Sequence, residues 1–312
     1  MAKKKIPQIV KDIRTYKKRE IDYQFQKSIS YSQLSMYNDC PKKWSLQYKE
    51  GHKHFTSTIH TVFGTALHEV IQHYLTVMYE KSGVEADRIN TSEMFEDKLR
   101  EEYAKQYKSN NKQHFSSPEE IREFYEDGIN IIQDFANNKA KHFSKRGWYL
   151  VGCEIPIILN PNPKYSNVMY QGYLDIVMYH EPTNTIQIID LKTSTSGWNQ
   201  KTKSDENKQF QLILYKKFFA EQFNFPLDNI NIEFFIVKRK LYESEDFVIK
   251  RIQKFSPPSG KIKIKRATDS INKFIEDAFT NNGYKEVDLQ PTVNNNCKWC
   301  VFHKTHHCSA TF

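Results

Sequence analysis

Between residues 170 and 190 the apolar positions alternate with polar ones or gather in short β-branched and aromatic blocks, the pattern of extended chain rather than helix. Residues 170–179 carry Tyr, Leu, Ile, Val and Met; His180 to Asn184 break the run, and Thr185 to Asp190 resume it. Two such runs around a short breaker predict a β-hairpin. With the turn centred on residues 181–184, facing positions have numbers that sum to about 365, so Asp175 stands across from Asp190.

The rest of the chain is read the same way. Residues 62–75 repeat apolar side chains at helical spacing, and residues 91–142 read as helical. Within that segment Ser117, Pro118 and Glu120 supply a cap, a first-position proline and an acid at the third position, and Phe124, Ile131, Ile132 and Phe135 lie on one stripe. A strand over 151–159, a helix over 205–223, a strand over 231–237 and a last helix over 268–279 follow from the same periods. A short helix is expected to start after Ser30 and to end before Pro41.

The opposed aspartates change the picture, because like charges about 5 Å apart across a sheet destabilise it. A divalent cation between the two carboxylates removes the repulsion, and hard oxygen ligands suit Mg²⁺ or Mn²⁺. Lys192, two residues past Asp190, projects from the same face of the strand. Carboxylates, a cation and an ammonium together suit metal-dependent phosphodiester hydrolysis. Gly64 and His68 share one helix face, as do Gln211 and Tyr215. Glu154, on the strand before the hairpin, is an additional acid within reach, though an outward-facing strand acid is the simpler description.

Charge agrees with a polyanion partner: 46 Lys and Arg against 37 Asp and Glu give a net +9. Residues 1–27 hold Lys3, Lys4, Lys5, Lys11, Lys17, Lys18 and Arg19 and no glycine, which reads as a basic arm, solvated or in contact with phosphate. A second basic stretch, residues 250–266, is a candidate phosphate track. No apolar run reaches the ~18 residues of a membrane span and no secretory signal opens the chain, so a cytoplasmic protein with no membrane partner is expected. No phosphate-loop motif for a nucleotide-driven motor occurs. Of five cysteines, Cys297, Cys300 and Cys308 cluster near the end beside His303, His306 and His307. Cys40 is available as a fourth ligand from the other end of the chain, while Cys153 reads as a buried thiol.

Gly172-x-x-Asp175 followed by Asp190-x-Lys192 resembles motifs two and three of the PD-(D/E)XK nuclease superfamily. Gly64-x-x-x-His68 and Gln211-x-x-x-Tyr215 resemble motifs of its RecB-like branch, and the cysteine set resembles the iron–sulfur subgroup that includes AddB and the CRISPR-adaptation nucleases. Five motifs stand in the family order between Ser30 and Cys308.

The resemblance implies an α/β fold: a PD-(D/E)XK nuclease core with a mixed central sheet flanked by helices, a helical insertion and a metal-stapled terminal subdomain. Residues 28–312 would form one nuclease domain, with the insertion at 91–145, the catalytic core at 150–240 and the cysteine cluster at 285–312 joined to Cys40. It further implies that His68, Asp175, Asp190 and the Leu191 carbonyl hold Mg²⁺ or Mn²⁺, that Lys192 positions the attacking water, and that Gln211 and Tyr215 order the site and contact DNA. A four-iron cluster on Cys40, Cys297, Cys300 and Cys308 is implied as well. The nearby histidines leave Zn²⁺ open, and the Cys300 to Cys308 spacing is longer than the family's pattern. The expected activity is exonucleolytic cleavage of single-stranded DNA ends in recombination, repair or DNA processing, beside a helicase, recombinase or CRISPR integrase. The alternatives are a structure-specific endonuclease and a noncatalytic DNA-binding subunit.

Overall fold

In the computed structural model, which describes residues 5–52, 54, 55, 57–242 and 250–309, the hairpin lies at the centre of a six-stranded mixed sheet. Lys3 and Lys4 of the expected arm lie outside the described residues. The strands are β1 (Lys27–Ile29), β2 (Trp148–Leu159), β3 (Val168–His180), β4 (Thr185–Ser194), β5 (Ile230–Lys238) and β6 (Ile252–Phe255). They run in the order β1-β3-β4-β5-β6, with β2 also on β3. The β1/β3 and β4/β5 pairs are parallel, whereas β2/β3, β3/β4 and β5/β6 are antiparallel.

The helices are α1 (Gln8–Arg14), α2 (Tyr31–Asp39), α3 (Pro41–Trp44), α4 (Ile59–Glu80), α5 (Gly83–Asp87), α6 (Thr91–Ser109), α7 (Pro118–His142), α8 (Gln200–Ser204), α9 (Glu206–Phe223) and α10 (Lys261–Ala278). Two apolar layers result. On one face of the sheet α4 buries Val62, Phe63, Leu67 and Ile71 with Phe95 of α6, Phe124 and Phe135 of α7, and Ile176, Ile189 and Phe235 of the strands. On the other face α9 and α10 bury Leu214, Phe218, Ile271 and Phe274 against Ile186, Ile188, Ile232 and Phe234. The strand alternation in β4 and β5 thus sends even-numbered side chains to α9 and odd-numbered ones to α4. Among the described residues no helix is long and apolar enough to cross a membrane.

Local signals explain the ends of these elements. The Ser30 hydroxyl accepts from the Gln33 amide at 3.3 Å, and Ser117 accepts from Glu120 at 3.2 Å, so both expected caps form. Asn184 takes a left-handed conformation (φ +47) and closes the hairpin turn. The last helix begins at Lys261, earlier than expected, because Gly260 caps it directly after the breaker at residues 256–259.

Two expectations are corrected. The segment before residue 28 is not wholly a solvated arm: α1 buries Val10 and Ile13 in the core, and the Arg14 guanidinium donates to the carbonyls of Leu150 at 2.7 Å and Val151 at 3.0 Å. The basic stretch at 250–266 is partly neutralised within the fold, where three carboxylates meet four of its seven cations. Lys254 meets Glu233 at 3.0 Å, Lys265 meets Asp269 at 2.6 Å, and Lys263 and Arg266 share Glu206.

Candidate active site at a fork in the sheet

One edge of β3 is covered by β2 from Tyr170 to His180. The opposite edge is shared: β1 takes Val168, Met169 and Tyr170, and β4 takes Ile176 to His180. Among the described residues no strand pairs with 171–175 on that edge, and the sheet forks there. Asp175 stands one step past the last β3/β4 pair, Ile176 with Ile189, so the register expected from the turn places it level with Asp190. As β4 diverges, the Asp175 side chain replaces the missing ladder partner, and its Oδ2 accepts from the Leu191 amide at 2.7 Å.

The fork lets both layers reach one point. His68, on α4, brings Nδ1 to 3.7 Å from Asp175 Oδ2 and lies beside the Leu191 main chain, which opposes the fall of its pKa. From the other side Asp190, only 2% exposed, meets the Lys192 ammonium at 2.6 Å. Two glycines allow the approach. A Cβ on Gly64 would lie 3.2 Å from Thr193 Oγ1, where α4 runs close to β4. A Cβ on Gly172 would lie 2.8 Å from the Tyr215 ring, which crosses β3 at that residue. Gln211 lies one turn from Tyr215 on α9, and the charges of Asp190 and Asp175 both reach the Tyr215 phenol, so Tyr215 faces the same fork.

Burial tunes the charges. It pushes Asp190 and Asp175 up to about 6, with Lys192 opposing the rise in both and the two carboxylates' mutual repulsion adding to it in Asp190. Burial and Lys192 bring His68 down to about 4, so its imidazole is neutral at pH 7 and keeps a lone pair. Burial opposes the charge on Lys192, but Asp190 and Asp175 outweigh it and hold the ammonium above its ordinary range.

These donors suit a divalent ion. Above pH 6 two buried carboxylates face one ammonium, so the site carries a net negative charge, and a neutral imidazole and main-chain atoms stand beside it. Hard oxygens with one nitrogen fit Mg²⁺ or Mn²⁺. Lys192 compensates Asp190 in this arrangement, and among the described residues no three His, Cys, Asp or Glu side chains are already grouped to hold a metal ion.

A sequence profile of the PD-(D/E)XK nuclease superfamily matches residues 28–305. The chain belongs to the PD-(D/E)XK nuclease superfamily. No curated protein matches it. The match begins at β1 and runs into the cysteine-rich tail, so the α6–α7 insertion and the whole fork of this nuclease fall inside it.

Some residues at the fork carried no motif. Gln72, one turn beyond His68 on α4, is buried and donates to Glu154 Oε1 at 2.7 Å and to the Asp175 carbonyl at 3.0 Å. Its spacing of four from His68 is the signal that could have found it. Tyr31 and Tyr170 lie on the Asp190 side, where that carboxylate's charge adds to the burial that raises both phenols. The Tyr170 hydroxyl is buried with no hydrogen-bond partner among the described residues.

The four cysteines of the two chain ends converge. Cys40, at the end of α2, lines a pocket of about 30 Å³ with Cys297, Cys300, Cys308 and His303, and no disulfide joins them. Asn294 and Asn296 fasten the tail to Asp39 at 3.0 and 2.9 Å, which fixes the Cys40 side of the pocket. His303 Nε2 is buried there without a partner among the described residues. Cys153 stands apart, half-buried against α4, with its thiol pushed up to about 12 by burial.

Proposed function

We propose that this nuclease is a Mg²⁺- or Mn²⁺-dependent deoxyribonuclease that degrades single-stranded DNA from its ends, in recombination, repair or related DNA processing. The observation that carries the reading is the meeting of His68, Asp175, Asp190 and Lys192 where β3 and β4 part. In this proposal His68, Asp175, Asp190 and the Leu191 carbonyl hold the ion. When bound, the ion polarises the scissile phosphate and acidifies a water. Lys192 orients the attacking water and sets its ammonium against charge that builds on the phosphate. Tyr215, buried over Gly172 with Gln211 one turn before it on α9, orders the site from the α9 side.

The net charge of +9 favours a polyanionic substrate, and the insertion packs on α4, the helix that carries His68, which supports a path entered by a strand end. The test is cleavage of end-labelled linear DNA with Mn²⁺ against EDTA, beside circular single-stranded DNA. The proposal expects metal-dependent loss of the linear strand and an intact circle. A cut circle would make the protein an endonuclease, and identical lanes with and without metal would leave a noncatalytic DNA-binding subunit.

For the tail we infer a metal held by Cys40, Cys297, Cys300 and Cys308, with the four-iron cluster as the family-based reading. The small pocket and the unpartnered His303 nitrogen favour a single Zn²⁺ as a second reading. A visible spectrum of anaerobically purified protein separates them, since an iron–sulfur cluster is brown and Zn²⁺ is colourless.

A further inference from the structure

The strands β2 and β3 both lose their alternation at the level of the fork. In β3 the side chains that pack on the α9 face are Val168, Tyr170 and Leu174, then Val177 and Tyr179, so the even series becomes odd across Asp175 and Ile176. In β2 the shift comes at Glu154: Cys153 packs toward α4, while Ile155, two residues on, packs toward α9. Glu154 accomplishes it with a left-handed backbone, φ +54, rare for a residue that is not glycine and unusual inside a strand. It falls between the pairs Cys153 with Ile176 and Ile155 with Leu174, level with Asp175, and no ladder pair joins the two.

A backbone bent in this way leaves the Asp175 carbonyl without its strand partner. The buried Gln72 amide takes that place, donating to the Asp175 carbonyl at 3.0 Å and to Glu154 Oε1 at 2.7 Å. One amide group thus ties α4, β2 and β3 together at the residue whose carboxylate faces His68, and His68 is one turn away on the same helix. The strained Glu154 backbone aims its carboxylate at Gln72.

We infer that Gln72 and Glu154 are positioning residues: Glu154 orients the Gln72 amide, and Gln72 braces the main chain of Asp175 so that its carboxylate meets the ligand set at the fork. This rests on the metal-dependent nuclease reading given above.

The experiment uses the full chain with Mn²⁺ and end-labelled single-stranded DNA. Gln72→Leu and Glu154→Ala are expected to lower kcat by about 10- to 100-fold and to weaken Mn²⁺ binding, titrated without DNA, by a similar factor, the range seen when groups behind a metal ligand are removed. KM for DNA should change by less than about threefold, because neither residue is asked to bind the strand. Glu154→Gln keeps an acceptor for the Gln72 amide and should restore kcat to within about threefold of the parent. Glu154→Gly accepts the positive φ without strain, so it should hold or raise Tm while kcat still falls as in Glu154→Ala. Variants that cut and bind Mn²⁺ like an active parent would overturn the inference, as would Glu154→Gln behaving like Glu154→Ala, or kcat following Tm across the set. A parent that neither binds Mn²⁺ nor cuts DNA sinks the nuclease reading itself, and the inference with it.

Discussion

Asp175 and Asp190 ionise near pH 6 because burial disfavours their charged forms, and that displacement has a sign. Their folded pKa values lie above the unfolded value of 3.8, so without metal the two groups oppose folding increasingly as pH rises from about 4 to about 6. His68 acts oppositely: its folded value, about 4, is below the ordinary 6.5, so stability is lost as pH falls through that interval. If these carboxylates hold the divalent ion as proposed, it binds their ionised forms, and the rise in Tm on adding Mn²⁺ should be large at pH 7.5 and small at pH 5. Differential scanning at the two pH values reads it, and an equal shift at both would contradict the assignment of these carboxylates as ligands. Lys192→Ala should remove cleavage by at least about 100-fold while DNA affinity, measured by anisotropy, stays near the parent's. The same change leaves Asp190 buried beside no ammonium, so its cost in stability should be greater at pH 8 than at pH 5, where the carboxyl is protonated.

At the scale of elements, close packing at glycines decides which helices can reach the fork. Gly172→Ala sets a methyl 2.8 Å from the Tyr215 ring, backed by β3 and α9, and is expected to destabilise by about 1–3 kcal/mol in urea unfolding and to lower activity. Gly128→Ala meets the Phe95 ring at 2.2 Å, a tighter clash, but between α6 and α7 and away from the fork. It should cost at least as much stability while the cleavage rate of the folded fraction stays near the parent's. The two variants together separate packing from positioning. Much at this scale was legible in the chain. The hairpin register follows from the breaker at 181–184, α4 and α9 follow from their apolar periods, and α7 from its period and its Ser117 cap. The fork did not, because it exists only where β1, arriving from residue 27, takes the β3 edge that β4 has left. Nor did the loss of alternation at Glu154, since a strand pattern assumes the regular backbone that φ +54 breaks.

For the whole molecule, α1 and the cysteine-rich segment at 294–308 are each fastened to parts of the fold distant in the chain. Arg14 holds α1 to β2, and the tail closes on Cys40 and Asp39 across more than two hundred residues of chain. If a metal occupies the cysteine pocket, Cys40→Ser or a strong chelator should free the tail and the segment around Cys40 together, since a closure of that length limits the unfolded chain greatly. Limited proteolysis should then show new cuts near Cys40 and near residue 295, and unchanged digestion would count against the staple. Arg14→Ala, which removes two hydrogen bonds to β2, should expose the α1 end alone and leave the tail intact. The charge of the whole chain was legible as a sum but not as a surface. Lys254, Lys263 and Arg266 look available in the sequence and are paired in the fold, because their acidic partners come from β5 and α9, distant in the chain.

By itself the sequence determined the hairpin, its register, and the spacing that puts Asp190 and Lys192 on one strand face, because each of these depends on local period and turn chemistry alone. Tertiary structure decided the rest: that the sheet opens beside Asp175, that α4 approaches closely enough for His68 and Gln72 to enter that opening from the opposite layer, and that the four cysteines share one pocket. These are meetings of segments remote in the chain, set by how the apolar faces stack; the motifs around His68 and the cysteines suggested two of them only through the family resemblance, and local period recorded none.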